Sequence, residues 1–363
     1  MIFRIYFEYN KSVISKRTVC GYARRGEGIM VTLKEVAEEA GLSVSTVSRI
    51  LNNRGYISDK ARDSVDQAMK KLNYQPNEVA RSLSKQTSNM VALIVPHIRH
   101  PFFAVLISEL EEAIRKKGYQ ILLFNTKTEE DTLEKYLTIC QQNRVSGVIL
   151  CSAQVGEDVL QRLNAPIITI ERYSEMSACS ITCDNYNGGR MAAQHLYRCG
   201  CRNVLMISGN SEQRMPADLR RNGFMDACMD HGMTCRDIQI SEAAMDNVGN
   251  SQYLKELAEG LASGQMRFDG LFVSGDVMAA EFIQYASSLG IRIPEDVQVV
   301  GFDDTFVAGL TTPAITTIHQ PLREMAESAA EMLVRAVKEK DTPSSVVLPV
   351  SLMRRGSTSW KSN

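Results

Sequence analysis

The sequence predicts an α/β fold in two parts, an all-α helix-turn-helix domain at the amino end and a larger, doubly wound α/β domain after it. Residues 32 to 72 hold three helical stretches, each with apolar residues along one face and a capping residue in front. From Met90 onward, short apolar runs alternate with longer helical stretches, which is the pattern of buried parallel strands joined by helices. The 363 residues have room for two or three domains, because a domain usually has roughly 100 to 200 residues.

The first helix is predicted to begin at Leu33. Thr32 and Glu35 have the spacing of a capping box, in which the hydroxyl and the carboxylate each accept a hydrogen bond from an orphan amide of the first turn. The apolar face of this helix consists of Val36, Ala37 and Ala40. Gly41 then allows the left-handed backbone that a tight turn between two helices needs.

The second and third helices complete a small core. Ser43 caps the second helix, and Ser58 precedes the third. The residues predicted to face the core are Val47, Ile50 and Leu51 of the second helix and Ala61, Val65, Ala68, Met69 and Leu72 of the third. The outer face of the second helix carries Val44, Ser45, Ser48, Arg49 and Asn52. Because short polar groups and a guanidinium suit base edges and phosphates, this helix is predicted to read the major groove of DNA, with an ordinary helical hairpin as the alternative.

A short segment, residues 73 to 83, follows the three helices. Pro76 suits the first turn of a helix, but the segment is too short to be a stable helix on its own. We therefore expect two copies to fold against each other on operator DNA, with Leu83 of each chain inserted into a minor-groove step. The alternative is that Leu83 is a plain linker or core residue.

The second domain is predicted from its alternating segments. The predicted strands are Val91–Val95, Gln120–Phe124, Gly147–Cys151, Ile167–Ile170, Val204–Ile207, Leu271–Val273 and Val297–Phe302. The predicted helices are Phe102–Lys117, Glu129–Gln142, Asn187–Arg198, Ala217–His231, Asp276–Leu289 and Leu322–Glu339. Such sheets bind ligands at the carboxyl ends of their strands. The sequence has no Gly-x-Gly-x-x-Gly, Walker loop or Gly-x-Ser-x-Gly motif, which argues against a nucleotide-dependent enzyme and an α/β hydrolase.

Composition and charge are those of an ordinary globular protein, with a formal net charge of -1 and basic residues concentrated at the amino end. The nine cysteines include no Cys-x-x-Cys pair, so we expect neither structural zinc nor a disulfide framework. An odd number of thiols fits a protein of the reducing cytosol. No apolar run approaches the roughly 18 residues of a membrane span, and we expect no secretory signal peptide. We also expect Met1–Ile29 not to be translated, because residues 24 to 28 (RRGEG) are what a purine-rich ribosome-binding sequence would encode and Met30 precedes the first cap.

Seven separate stretches carry a family resemblance. They are VTLKEVA (31–37), STVSR (45–49), LNYQPN (72–77), ARSL (80–83), PFF (101–103), VVGFDD (299–304) and TTIHQP (316–321). From Val31 to about Gly356 the chain thereby resembles the lactose and galactose repressor (LacI/GalR) family. The resemblance implies a homodimer or tetramer that represses transcription at a near-palindromic operator. It also implies a two-lobed sensor, similar to periplasmic sugar-binding proteins, that holds a small-molecule effector between its lobes.

The same resemblance implies the domain boundaries. Residues 1–29 form an extension, 30–75 the helix-turn-helix DNA-binding domain, 76–89 a hinge helix and linker, and 90–363 the effector-binding sensor domain. The chain is expected to cross between the lobes near Asp184, Ile318 and Pro349. Lobe 1 then comprises about 90–183 and 321–349, and lobe 2 about 184–318 and 350–360.

The predicted DNA-binding residues combine the exposed face of the second helix with the positions that the family uses. They are Thr32, Ser43, Val44, Ser45, Thr46, Ser48, Arg49, Asn52, Tyr56, Asn77, Ala80 and Leu83. Val44 and Ser45 are expected to set operator preference. For Tyr56, a contact with the DNA backbone and a solvated loop hydroxyl remain equal alternatives.

The predicted effector contacts match pocket positions of the family. They are His97, His100, Phe102, Phe103, Glu171, Arg220, Asp276, Asp303 and Gln320. Carboxylates, a guanidinium and an aromatic face suit a polyhydroxy ligand. The alternatives are that Asp276 caps its helix and that Phe102 and Phe103 belong to the core. His97, His100, Glu171 and Gly275 depart from the usual pattern, which leaves a sugar and a sugar acid both open as the ligand.

No cofactor, metal or membrane partner is expected. The spacing of His97 and His100 is a weak indication of a metal, because prolines at 96 and 101 argue against a helix that would place both on one face.

We expect a cytoplasmic, nucleoid-associated regulator in which effector binding changes operator affinity. Two other classes share part of the pattern: a solute-binding transport component, which would need an export leader and no DNA-reading helices, and a sugar-acting enzyme, which turnover of candidate sugars would reveal.

Overall fold

The computed structural model describes residues 31–52, 55–75, 87–126, 130–152, 163, 165–173, 179–210, 214–241, 251–339 and 344–359. The chain divides into two compact units, residues 1–78 and 79–363. The predicted extension at 1–29 and most of the predicted hinge segment, including Asn77, Ala80 and Leu83, lie outside the described residues.

The described part of the first unit contains three helices, α1 (Leu33–Ala40), α2 (Val44–Leu51) and α3 (Asp59–Leu72). The predicted capping box is present, since the Glu35 amide donates to the Thr32 hydroxyl and the Thr32 amide donates to the Glu35 carboxylate at 2.6 Å. Gly41 ends α1 with a left-handed φ of 65°. The buried core of the unit is Val36, Ala37, Val47, Ile50, Val65 and Ala68. The starts and inner faces predicted for these helices are confirmed.

Two six-stranded sheets organise the second unit, and each forms a lobe with its helices. Sheet A has the strand order β11-β5-β4-β3-β1-β2 and sheet B the order β12-β10-β9-β8-β6-β7. The strands of sheet A are β1 (Met90–Val95), β2 (Gln120–Asn125), β3 (Gly147–Leu150), β4 (Ile167–Ile170), β5 (Ser180–Cys183) and β11 (Val346–Leu348). Those of sheet B are β6 (Asn203–Asn210), β7 (Thr234–Ser241), β8 (Gly270–Val273), β9 (Gln298–Asp303), β10 (Thr316–His319) and β12 (Ser351–Met353).

The strand pairs are parallel except for β10 with β12, which are antiparallel. The helices of the sheet A lobe are α4 (Pro101–Lys116), α5 (Glu130–Gln142) and α11 (Leu322–Glu339). Those of the sheet B lobe are α6 (Asn185–Arg198), α7 (Asp218–Asp230), α8 (Gln252–Ala262), α9 (Asp276–Ser288) and α10 (Phe306–Leu310). Buried apolar clusters lie on both faces of each sheet, as the doubly wound prediction requires.

Within the described ranges, three connections join the lobes. The chain passes from β5 to α6 at Asp184, from β10 to α11 at Gln320 and Pro321, and from β11 to β12 at Pro349 and Val350. Ile318, near which the second crossing was predicted, lies inside β10 and pairs with Phe302 of β9, and the chain leaves sheet B two residues later. Each lobe is therefore built from separate parts of the sequence.

Helices α6 and α7 pack closely because glycine lies at both contact points. A Cβ at Gly189 would overlap the backbone oxygen of Arg220, and a Cβ at Gly223 would overlap that of Tyr186. The close packing fixes the position of the turn of α7 that carries Arg220. No helix among the described residues is long and apolar enough to cross a bilayer.

Candidate functional site

The outer face of α2 presents the predicted DNA-reading residues to solvent. Val44 is 43% exposed, although it is apolar, and Ser43, Ser45 and Arg49 are also exposed. Thr46, Ser48 and Asn52 are half-buried. The opposite face is held in the core by Val47 and Ile50. The exposed face is thus carried on a helix that cannot rotate without exposing its apolar side.

The first turn of α2 is ordered by hydroxyl groups. The Ser43 hydroxyl accepts a hydrogen bond from the Thr46 amide at 3.1 Å and lies 2.8 Å from the hydroxyls of both Ser45 and Thr46. At the other end, the Asn52 side-chain amide donates to the Ser48 carbonyl at 2.8 Å. Of the remaining predicted contacts in the described unit, Thr32 acts as a helix cap and Tyr56 is 95% exposed.

The predicted effector residues follow the carboxyl ends of the strands. Glu171 comes directly after β4, Asp303 is the last residue of β9, and Gln320 follows β10. Asp276 opens α9 after β8, while Arg220 lies on α7. All five side chains are buried. This arrangement agrees with the general rule that open α/β sheets bind ligands at this edge.

A chain of hydrogen bonds and one ion pair joins four of these residues across the lobes. Gln320 Nε2 donates to Asp303 Oδ1 at 2.7 Å, and Arg220 Nη1 lies 3.7 Å from the same oxygen. Arg220 Nε donates to Asn185 Oδ1 at 2.7 Å, and Asn185 Nδ2 donates to Glu171 Oε2 at 2.9 Å. Because Glu171 belongs to the sheet A lobe and the other members to sheet B or its edge, the network links the two lobes.

The guanidinium of Arg220 is already compensated by protein groups. It donates to the Ser274 carbonyl at 2.7 Å, and its carbon lies 3.6 Å from the centroid of the Phe302 ring. Asp303 and Glu171 place two carboxyl groups in the same network. The network therefore offers hydroxyl-binding groups without a surplus of positive charge.

Asp276 is the most deeply buried of the five residues, and its hydrogen bonds go to other partners. Its side chain is fully buried, with Oδ1 accepting from the Thr317 hydroxyl at 2.6 Å and Oδ2 from the Thr305 amide at 2.8 Å. The N-cap of α9 is Gly275, so Asp276 does not cap its helix. Burial raises the pKa of Asp276, and the nearby Asp303 raises it further. Burial also raises the pKa of Asp303, and Arg220 partly opposes that rise.

The residues predicted at the start of α4 form a second group. His100 is the N-cap of α4, and its Nδ1 accepts from the Phe102 amide at 3.3 Å. Burial lowers the pKa of His100 to about 4, with His97 adding to the effect, so His100 is uncharged at neutral pH. Phe102 is buried in the core of sheet A, whereas Phe103 is only partly buried against it. The core alternative thus describes Phe102 better than Phe103.

Several residues that the sequence did not single out belong to the same region. Asn185 is 1% exposed and links Glu171 to Arg220; its position directly after a lobe crossing was the available signal. Tyr173 and Arg214 approach each other from the two lobes, with the guanidinium carbon 5.5 Å from the ring centroid. Three buried oxygens, Ser152 Oγ, Ser208 Oγ and Gln320 Oε1, have no hydrogen-bond partner among the described residues.

The described part of the chain contains no group of three or more His, Cys, Asp or Glu side chains placed to hold a metal ion. Its eight described cysteines are free thiols.

Comparison with known families and proteins bears on both regions. Residues 32–77 match the model for bacterial regulatory proteins of the lacI family, and residues 193–358 match the periplasmic binding protein-like domain. The sucrose operon repressor of Streptococcus mutans is 33% identical over 90% of this chain and 98% of its own length. The ribose operon repressor of Halalkalibacterium halodurans is 34% identical over 86% of this chain and 92% of its own length.

Among solved structures, the fold is similar to that of a periplasmic binding protein/LacI transcriptional regulator from Alkaliphilus metalliredigens complexed with D-xylulofuranose. The TM-score is 0.66 at 31% identity, covering 75% of this chain and 99% of that protein.

Proposed function

Because the chain belongs to the LacI family of bacterial regulatory proteins, we propose that it represses genes for carbohydrate use and responds to an uncharged sugar. Like its relatives, it is a DNA-binding transcriptional regulator and not an enzyme. The observation that carries the sugar proposal is the buried Gln320-Asp303-Arg220-Asn185-Glu171 network, which links the two lobes.

The charge balance of this network favours a neutral sugar over a sugar acid or sugar phosphate. Within the five-residue network the one guanidinium, that of Arg220, is shared among Asp303, Asn185 and the Ser274 carbonyl. Glu171 adds a second carboxyl group, and His100 carries no charge at neutral pH. An anionic ligand would meet the two carboxyl groups of the network, whose one guanidinium is already shared, whereas sugar hydroxyls both donate to carboxylates and accept from amides.

The relatives support the class of effector. Two of them are named for operons of the sugars sucrose and ribose, and one similar structure contains a furanose sugar. The three buried oxygens without a protein partner among the described residues, Ser152 Oγ, Ser208 Oγ and Gln320 Oε1, add capacity for hydroxyl groups. We propose His97, Phe103, Glu171, Arg220, Asp303 and Gln320 as ligand contacts, with Asp276 as a buried support of the site.

The DNA partner is a near-palindromic operator, which a homodimer reads through two copies of α2. We propose Val44, Ser45, Ser48 and Arg49 as its reading residues, with contributions from Ser43, Thr46, Asn52 and Tyr56. The minor-groove role of Leu83, with Asn77 and Ala80, stays a prediction, as do the domain boundaries. We also propose a cytoplasmic location at the nucleoid, where the operator is found.

The test is selection of bound genomic DNA by the purified protein, with and without each member of a panel of neutral sugars and the matching aldonic and uronic acids. We expect one operator class to be enriched, and its recovery to change with a neutral sugar but not with the acid of the same carbon skeleton. Enrichment that responds only to an acid would overturn the choice of ligand class. No enrichment over random duplex would overturn the proposal as a whole.

A further inference from the structure

The backbone that follows β9 has an unusual conformation. Asp303 and Asp304 are consecutive and have φ values of 107° and 55°. A positive φ is unfavourable for residues other than glycine, and such a conformation persists where surrounding contacts fix it. One of the two residues, Asp303, belongs to the proposed sugar-binding network. Contacts that hold this turn therefore decide where the Asp303 carboxyl group points.

The side chain of Asp304 supplies such contacts. Its Oδ1 accepts from Arg355 Nη2 at 2.6 Å, and its Oδ2 lies 2.9 Å from His319 Nδ1. The side chain of Asp304 is only 11% exposed, so its carboxylate is largely removed from water. Arg355 is itself fixed, because its Nη1 donates to the Ile315 carbonyl at 3.0 Å and its amide donates to the Thr316 hydroxyl at 2.9 Å.

The partners of Asp304 lie beside two of the three lobe connections. His319 is the last residue of β10 and precedes Gln320, where the chain leaves sheet B. Arg355 follows β12, the first strand after the crossing at 349–350. In the register of the sheet, His319 is the partner of Asp303. Asp304 thus joins the sheet B ends of two connections at the point where Asp303 meets Gln320.

We propose that Asp304 is a positioning residue for the effector: its contacts with Arg355 and His319 hold the left-handed turn that aims Asp303 at the ligand. This inference rests on the proposed sugar-binding function. Asp304 does not itself need to touch the sugar. It acts through Asp303, so loss of the Asp304 carboxylate weakens sugar binding only while Asp303 is present to be misplaced.

The experiment is calorimetric titration of the full-length protein with the neutral sugar that binds it best, using Asp304→Gly, Asp304→Ala and Asp304→Asn. Glycine removes the carboxylate and also relieves the unfavourable φ, so it separates strain from positioning. We expect at least tenfold weaker binding for the Gly and Ala variants. The Asn variant should be intermediate, because asparagine tolerates a left-handed backbone and keeps one acceptor oxygen.

Two controls separate positioning from a general structural role. The first control is Asp237→Asn. Asp237 Oδ2 accepts from Arg221 Nε at 2.5 Å, so this substitution removes an aspartate-arginine ion pair in the same lobe but away from the turn. It should leave sugar affinity unchanged. The second control combines Asp304→Gly with Asp303→Asn. If Asp304 acts through Asp303, the double variant binds within twofold of Asp303→Asn alone.

The outcomes distinguish the inference from the function on which it rests. If the wild-type protein binds no neutral sugar, the proposed function fails, and the inference fails with it. If the wild-type protein binds sugar while Asp304→Gly and Asp304→Asn bind it within twofold of wild type, the inference alone is wrong. It is also wrong if the losses from Asp303→Asn and Asp304→Gly multiply.

Discussion

Several polar residues of the sensor domain have buried side chains. Asp276 is the strongest example, since its carboxyl group is fully buried and receives hydrogen bonds from Thr305 and Thr317. The sequence marked Asp276 as a possible ligand or a helix cap, because both roles place an aspartate at the start of a helix. The structure gives it a third environment, which depends on the long-range approach of β10 and could not be read from local sequence.

The raised pKa of Asp276 makes stability depend on pH. Burial raises this pKa from 3.8 to about 8, so between these values the folded protein holds a proton that the unfolded chain releases. The free energy of unfolding therefore falls as the pH rises through this window, by at most about 1.4 kcal/mol per pH unit for one proton. Asp276→Asn imitates the protonated group and should remove this component of the slope, as measured by urea unfolding from pH 5 to 9.

A matched variant controls for the loss of any aspartate. Arg221 lowers the pKa of Asp237, so that carboxyl group is ionised in both states throughout the same range. Asp237→Asn should leave the slope as in the wild type. A constant difference in stability between the wild type and Asp276→Asn from pH 5 to 9 would show that Asp276 is ionised when buried.

The reading face of α2 makes a prediction about specificity. Ser45→Ala removes one exposed hydroxyl that can contact a base edge, so we expect a loss of about 1 kcal/mol per half-site for the preferred operator. Affinity for non-specific duplex should change little, because phosphate contacts remain. Ser64→Ala makes the same change on α3, where the Ser64 hydroxyl donates to the Lys60 carbonyl. Equal effects of the two substitutions in quantitative mobility shifts would argue against reading by Ser45.

At the scale of helices and strands, local signals predicted most elements. Capping residues and apolar periodicity located the three helices of the first unit, and buried apolar runs located seven strands of the two sheets. The strand β7 was missed because polar residues interrupt its apolar ones at the edge of sheet B. The strands β5, β10, β11 and β12 were also not predicted. They have three or four residues each, and their pairing depends on chain crossings that no local pattern records.

The packing of α6 on α7 gives a prediction at the same scale. In Gly223→Ala, the new Cβ would overlap the backbone of Tyr186, which cannot move aside as a flexible side chain would. We expect a loss of about 3 kcal/mol in the free energy of unfolding and weaker sugar binding, because α7 carries Arg220. Thermal unfolding and calorimetry of the same samples measure both effects.

Gly309 offers the matched control. A Cβ at Gly309 meets nothing within 4 Å. Gly309→Ala should therefore keep the stability and sugar affinity of the wild type. If Gly223→Ala were as stable as Gly309→Ala, the close approach of α6 and α7 would not be needed to place Arg220.

At the scale of the whole molecule, the sequence predicted both functional regions but not how the sensor residues connect. The family resemblance pointed to Arg220, Asp303 and Gln320, but only Asp303 and Gln320 lie in the matched stretches, VVGFDD and TTIHQP. Asn185, Asp304 and Arg355 were not singled out, since their roles arise only when the three lobe connections bring distant segments together. The proposed sugar-binding network and its supports therefore depend on the tertiary structure more than on any motif.

The central claim is that one molecule binds operator DNA and a neutral sugar, and that each binding event alters the other. Such coupling between sites is typically about 1 to 3 kcal/mol and must be reciprocal. The most direct measurement is the affinity for sugar with and without saturating operator, beside the affinity for operator with and without saturating sugar. We predict that both ratios differ from one and agree within error. Equal sugar affinities in the presence and absence of operator would contradict the account.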